Sequence, residues 1–242
     1  MTPTIFDKLQ PSDIRSDPFP HAVLQDALPS DFCAALIANR PDSRPSKRPA
    51  TRTVMPAWML RGLDFVDPVW RDFARAHSDA SIARRVRDLF GPFWPDHLPA
   101  LPEDDAAYGL HGKHGHDTHP VLCDARLETI SPNPDETASH RRQHLDNGNR
   151  LFSALFYLRA PQDDSEDGGL TLFRFRRTPE QLDVFEFDDR DVEAVVTVPY
   201  AANTLVVFPN RPDAIHGAQP RRPTRHDRAY VFVTAEVEKP LF

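Results

Sequence analysis

The feature that most constrains this chain is a change of texture after Pro120. From there, short runs of β-branched and aromatic residues recur between turn-forming residues, which places strands at about 121–130, 151–158, 170–175, 192–199, 204–208 and 228–237. No helical pattern alternates with them. Such a series points to antiparallel strands closed into a barrel or jelly roll.

The first half reads differently. Pro18 to Pro29 carries alternating apolar residues and predicts a short extended segment. Ser30 then stands before an amphipathic helix that ends near Asn39. Residues 40–52, rich in Pro, Arg and Ser, read as a basic surface loop. Between Asp67 and Phe90 the positions Val69, Trp70, Phe73, Ala74, Ile82, Val86 and Leu89 recur at helical spacing. Ser78-Asp79 is the expected break and second cap, so two helices or one bent helix fit. Residues 91–115 show no period and read as irregular connection. The expectation is a mainly β protein with supporting helices (α+β), a single domain over 1–242. Its 1–120 part would buttress one face of a β core at 121–237.

The 242 residues include 29 Lys and Arg against 36 Asp and Glu, a net charge of −7. An acidic balance works against nonspecific binding to phosphate backbones, and no basic groove studded with aromatics is evident. A hydrophobic share of 40% with 16 Phe can fill a sizeable core despite 25 Pro. No apolar run approaches the roughly 20 residues of a membrane span. Met1 to Asp13 lacks the basic start and apolar stretch of a signal peptide, so a cytoplasmic location is expected. Cys33 and Cys123 read as two buried thiols, too few for a disulfide framework or a four-cysteine zinc site.

The informative segment is Gln143-His144-Leu145-Asp146-Asn147, just ahead of a strand. On an extended backbone, residues two apart share a face, so His144 and Asp146 can reach one metal ion. Alone, a His-x-Asp pair is more often a surface pair or a structural histidine. His216, just beyond the apolar strand 204–208, supplies a third ligand. Two histidines and one carboxylate form the facial triad suited to ferrous iron, with open positions for a bidentate cosubstrate and dioxygen. A structural zinc site would need a fourth protein ligand. Arg228 opens the last strand and can grip a carboxylate in a bidentate fork. Arg225 competes for that role, but the apolar run begins directly after Arg228. His140 precedes His144 by four and has no carboxylate two residues on.

The order His144-x-Asp146, His216, Arg228 on short strands resembles the iron(II)- and 2-oxoglutarate-dependent dioxygenases, particularly the prolyl 4-hydroxylase-like branch. The stretches Asn149 to Leu158, Asp167 to Leu172, and Asn203 to Phe208 with His216-Gly217 are similar to that family's strands. So, more loosely, is the lead-in Asp17 to Leu28-Pro29. The resemblance implies a double-stranded β-helix, a distorted jelly roll of cupin-like form. It also implies Fe(II) on His144, Asp146 and His216, with 2-oxoglutarate and O2 as cosubstrates. Arg228 would hold the distal carboxylate of 2-oxoglutarate, with Tyr157 where some relatives use a tyrosine hydroxyl for the same carboxylate. The implied reaction releases succinate and CO2 and hydroxylates a C–H bond of a small molecule such as an amino acid, a peptide-derived metabolite or a saccharide. Asp146 favours hydroxylation, because related halogenases lack this carboxylate and leave room for chloride. Desaturation and ring formation stay open.

Three alternatives stand beside that expectation: a prolyl or peptidyl hydroxylase acting on a protein, a cupin-type metal-binding protein or isomerase without 2-oxoglutarate, and nucleic-acid demethylation. Oligomeric state stays open. Arg126 and Glu128 share a strand face with Asp124 and could line the substrate pocket or a solvated outer face. Arg141, Arg142, Arg221 and Arg222 flank the metal motifs and could recognise an anionic substrate; Arg126 and Arg142 are the substrate candidates carried forward. The cluster His111, His114, His116 and His119 reads as a loop near the site mouth or an adventitious metal site.

Overall fold

The computed structural model describes residues 2–42, 48–138 and 141–242; His140 lies outside them, as does part of the 40–52 loop. Among the described residues four α-helices, α1 (Ser30–Ala38), α2 (Ala57–Gly62), α3 (Pro68–His77) and α4 (Ala80–Phe90), all fall in the first half. Ten strands follow the order β1 (Ala22–Leu24), β2 (Arg52–Met55), β3 (Tyr108–Leu110), β4 (Val121–Ile130), β5 (Arg150–Tyr157), β6 (Leu170–Phe175), β7 (Val192–Val198), β8 (Thr204–Pro209), β9 (His216–Ala218) and β10 (Arg228–Glu236).

The strands form two sheets. The larger has the order β1-β8-β5-β10-β4-β2, antiparallel throughout, with β3 added parallel to β4; the smaller has the order β7-β6-β9. Two antiparallel sheets with a few helices are the expected mainly β architecture, in the double-stranded β-helix form.

The expected break in the 67–90 helical pattern is there. Asp67 caps α3 by accepting from the Val69 N–H, with Pro68 at the first helical position, and Asp79 caps α4 by accepting from the Ser81 N–H. Ser30, expected as a cap, is instead the first residue of α1; Pro29 precedes it and no side chain caps this helix. Sequence periodicity also leaves out α2, β2, β3 and β9. These are elements of three to six residues, too short for a period to register. Pairing with β4 defines β2 and β3, and pairing with β6 defines β9.

The large sheet is buried on both sides. Along β4 all ten residues are buried. Cys123, Ala125 and Leu127 point toward the helices and join Trp70, Phe73, Val86 and Phe90 in the main apolar core, along with Phe152, Ala154 and Phe156 of β5 and Val231 and Val233 of β10. Each fully buried Leu, Val or Phe there stabilises the fold by about 1.5–3 kcal/mol over an exposed one. The alternate residues of the same strands face the smaller sheet, where Leu155, Tyr157, Val206, Phe208, Tyr230 and Phe232 pack against Leu170, Leu172 and Val198. Cys33 and Cys123 are free and buried, and burial pushes their thiols up to about 11 and about 12. No helix among the described residues is long and apolar enough to cross a membrane.

Candidate active site

His144 and His216 come from segments 72 residues apart, which the backbone ties directly together. The His144 N–H donates to the His216 carbonyl at 2.8 Å and the His216 N–H donates back to the His144 carbonyl at 3.0 Å. Gly217 permits this approach: a Cβ there would lie 2.6 Å from the Arg142 carbonyl carbon and 2.7 Å from the Gln143 nitrogen. Gln143 straps the metal segment to the 186–189 loop through its side-chain amide, which donates to the Phe187 carbonyl at 2.8 Å.

Both imidazoles have their Nδ1 atoms against backbone carbonyls, Arg142 at 2.6 Å for His144 and Ala214 at 3.0 Å for His216. That contact puts the proton on Nδ1 and leaves Nε2 as a lone-pair donor. The two Nε2 atoms face opposite oxygens of Asp146, at 3.9 Å from Oδ1 and 3.6 Å from Oδ2. One ligand atom from each residue lies within 4.8 Å of the others, and this is the one such group of potential metal ligands among the described residues.

Charge states suit a cation. Burial, reinforced by the neighbouring His216, lowers His144 to about 3, and burial also lowers His216, so both rings are neutral at pH 7. Burial alone would push the Asp146 carboxyl up, but Arg150, the two histidines and the Ser153 hydroxyl outweigh it and hold it well below the carboxylate range. Arg150 donates to Asp146 at 2.5 Å and to Glu236 at 3.2 Å, and Ser153 donates to the other Asp146 oxygen. Two neutral imidazoles and one carboxylate, all on one side, fit an open-faced iron site.

The triad lies in a cavity of about 170 Å³ whose wall also carries Arg52, Arg126, Glu128, Arg141, Arg150, Tyr230, Phe232 and Arg228. Arg228 is 5% exposed and has no carboxylate partner among the described residues. Its guanidinium sits among Tyr157, Tyr200 and Tyr230, 5.3, 5.4 and 4.9 Å from the ring centroids, with Tyr157 Oη 3.4 Å from one terminal nitrogen and Nε unpaired. A buried guanidinium with donors to spare is a fitting seat for a ligand carboxylate. Arg225 is exposed and lies off the cavity wall.

The remaining candidates separate cleanly. Arg126 lines the cavity as part of a buried network, donating to Asp124 at 3.2 Å and Glu128 at 2.8 Å, while Tyr230 donates to Glu128 at 2.6 Å. The solvated-face alternative for Arg126 and Glu128 is therefore corrected: the smaller sheet covers that side of β4. Arg142 does not line the cavity; it turns outward to Glu186 and Asp189, each at 3.5 Å, because it alternates with Arg141 on an extended segment. Arg221 is buried in a structural cluster with Asp163 at 2.7 Å and Ser165, and Arg222 is exposed beside Glu166 and Asp167. The four histidines of 111–119 are absent from the cavity wall. His111 instead reaches Glu236 at 3.4 Å and His114 stacks on His119. Sequence reasoning misses Ser153, Arg150 and Arg52. For Ser153 a signal existed, since it shares a strand face with Tyr157.

Comparison with known proteins points the same way. Residues 133–232, which contain all three triad residues and Arg228, match the 2OG-Fe(II) oxygenase superfamily. No curated protein matches the sequence. Among solved structures, the chain is similar to a prolyl 4-hydroxylase from Phytophthora capsici (14% identity, 97% of this chain and 65% of that one, TM-score 0.53). It is likewise similar to IDO from Bacillus thuringiensis (8% identity, 90% and 93% covered, TM-score 0.50) and to the non-heme alpha ketoglutarate dependent epimerase SnoN of nogalamycin biosynthesis (14% identity, 90% and 76% covered, TM-score 0.50). These likenesses speak for the fold, while the chemistry rests on what the fold brings together in this chain. Two Nε2 atoms and a carboxylate converge beside an arginine without a carboxylate partner, inside the segment that matches the 2OG-Fe(II) oxygenase superfamily, and this donor set is the one that the match implies for Fe(II) and 2-oxoglutarate.

Proposed function

We propose that the protein hydroxylates a C–H bond of a small molecule, consuming O2 and 2-oxoglutarate and yielding the alcohol, succinate and CO2. The observation that carries this reading is the pairing of the His144–Asp146–His216 triad with Arg228 in one cavity. Fe(II) with 2-oxoglutarate supplies, when bound, the oxidising power that replaces hydrogen by hydroxyl; the protein supplies position and exclusion of water.

Each residue then has a defined task. The backbone carbonyls of Arg142 and Ala214 fix the imidazole tautomers, and Arg150 with Ser153 orients Asp146. Arg228 binds the distal carboxylate of 2-oxoglutarate. Tyr157, whose hydroxyl burial keeps protonated, completes that seat. Asp146 retains the carboxylate position, which supports hydroxylation over halogenation. A cavity of about 170 Å³ is suited to the cosubstrate and the reacting end of a compact substrate.

The test is an anaerobic titration of Fe(II) and 2-oxoglutarate into the protein, following the weak visible charge-transfer band of the chelated keto acid. A band that weakens in Arg228→Gln supports the reading. Folded, iron-loaded protein without a band would overturn it in favour of a cupin-type metal protein. Succinate release in the presence of candidate metabolites or peptides then separates small-molecule from peptidyl substrates.

A further inference from the structure

The cavity wall carries five arginines, Arg52, Arg126, Arg141, Arg150 and Arg228. Four are accounted for. Arg126 lies between Asp124 and Glu128, Arg150 between Asp146 and Glu236, and Arg52 meets Glu128 at 3.3 Å. Arg228 is the seat of the cosubstrate.

Arg141 has no such partner. Among the described residues its guanidinium makes one hydrogen bond, from a terminal nitrogen to the Phe185 carbonyl at 3.2 Å; its buried Nε is unpaired and it forms no ion pair there. The acidic residues of the neighbouring loop, Glu186 and Asp189, are engaged by Arg142 on the outside. Burial and the nearby Arg150 and Arg52 work against the Arg141 charge, while Asp146 and Glu186 favour it from a distance. A half-buried guanidinium with an empty donor edge, facing a cavity, is complementary to an anion.

Its location narrows the class of anion. Arg141, Asp146 and Asn147 line both the triad cavity and an adjoining outer groove. The apolar part of the groove wall is Leu145, Leu182, Val184, Phe185 and Phe242, with Glu180 and Asp183 also on the wall; Phe185 is 73% exposed and its ring lies 5.0 Å from the Arg141 guanidinium carbon. A molecule held at Arg141 would therefore have its charged end beside the triad and an apolar surface along its outward path.

We propose that Arg141 binds the carboxylate of the primary substrate, and that this substrate is a small amphipathic monocarboxylate whose apolar body lies along the Leu182–Phe185 and Phe242 groove. The C–H bond oxidised then lies toward the carboxylate end. This assignment rests on the oxygenase reading, since there 2-oxoglutarate occupies Arg228 and leaves Arg141 as the cavity's unmatched cation.

The test uses a matched pair of probes, 4-phenylbutanoate and 4-phenylbutanamide, with anaerobic protein loaded with Fe(II) and 2-oxoglutarate. Isothermal calorimetry measures probe binding, and the charge-transfer band reports the cosubstrate. Wild-type protein should bind the carboxylate at least tenfold more tightly than the amide. Arg141→Gln should erase that preference while keeping 2-oxoglutarate affinity within about twofold, and Arg141→Lys should retain part of it, as expected for loss of a charge-assisted hydrogen bond and its partial replacement. Arg228→Gln should do the reverse, weakening the cosubstrate band first. A wild-type protein that shows the band but no preference, or a preference that survives in Arg141→Gln, would overturn the role of Arg141 and leave the oxygenase reading standing. Absence of the band in wild type would instead count against the oxygenase reading itself.

Discussion

The two faces of the large sheet are built from the same strands, yet they follow opposite rules. Toward the helices, β4, β5 and β10 present Cys123, Ala125, Leu127, Phe152, Ala154, Phe156, Val231 and Val233, without a charge among them. Toward the smaller sheet the same strands present Asp124, Arg126, Glu128, Ser153, Tyr157, Arg228 and Tyr230, nearly as deeply buried. One face stabilises the fold by removing apolar surface from water. The other spends part of that gain on holding charges in a low-dielectric space, where each must be paired. Glu128 illustrates the balance: burial pushes its carboxyl up, but Arg126 and Arg52 outweigh it, and it stays ionised. The contrast teaches where function resides, because the cavity cations left without a carboxylate, Arg228 and Arg141, are the ones with capacity for a ligand.

The largest expected effect comes from the functional face. Asp146→Ala should abolish substrate-dependent succinate release and weaken Fe(II) binding by at least about a hundredfold, beyond what loss of an outer-shell partner costs; anaerobic metal titration checks it. Adjacent residues of β4 then sharpen the contrast. Arg126→Met should destabilise the fold by about 3–5 kcal/mol, since Asp124 and Glu128 would be left buried without their cation. Leu127→Ala should cost about 2–5 kcal/mol through a cavity under the helices. Urea unfolding measures both. The faces differ in a second readout: Arg126→Met should also weaken 2-oxoglutarate or substrate binding, whereas Leu127→Ala, in folded protein, should leave it within about twofold, as expected for a site without shared partners.

A pH prediction probes the helical side. His77 is buried with its Nδ1 against the Phe73 carbonyl at 2.8 Å and its Nε2 accepting from the Ile5 N–H at 3.0 Å, and burial lowers it to about 4. The folded state thus keeps His77 neutral where the unfolded chain, at 6.5, takes up a proton. Stability from this group is full above pH 6.5 and is lost as pH falls toward 4, by at most about 3 kcal/mol. Unfolding curves of wild type and His77→Gln across that range should converge as pH falls; parallel curves would refute the assignment. The smallest effect is expected at Tyr157→Phe. Its 3.4 Å contact with Arg228 is long, so loss of the hydroxyl should weaken 2-oxoglutarate binding by about three- to tenfold, read from the charge-transfer titration.

Much of this was legible in the residues. Six of the seven strands after Pro120 lie where β-branched runs between turn residues place them, because a half-buried pleated surface selects those residue types locally. The helix break at Ser78-Asp79 follows equally from local capping chemistry. His144-x-Asp146 and His216 stood out because metal chemistry tolerates few alternatives in ligand type. Other features were not legible. The short elements β2, β3 and β9 exist through their partners, and the sequence favours Arg142 over Arg141 as a substrate contact, whereas the segment's pairing turns Arg141 inward and Arg142 toward Glu186.

By itself the sequence determined the strand-rich core, the helical support, the candidate metal ligands His144, Asp146 and His216, and the arginine that opens the final strand. These depend on side-chain chemistry and on periods of two and 3.6, both local properties. Tertiary structure alone decided which side of β4 is dry and what the charges there do. An alternation of polar and apolar residues ordinarily marks a sheet with one face in water. Here a second sheet closes over the polar face, so Arg126 and Glu128 become a paired, buried wall of the cavity, with Asp124 buried beside Arg126. Burial is set by what lies across from a strand, and that partner is brought in from the distant β6 and β9, beyond the reach of any local pattern.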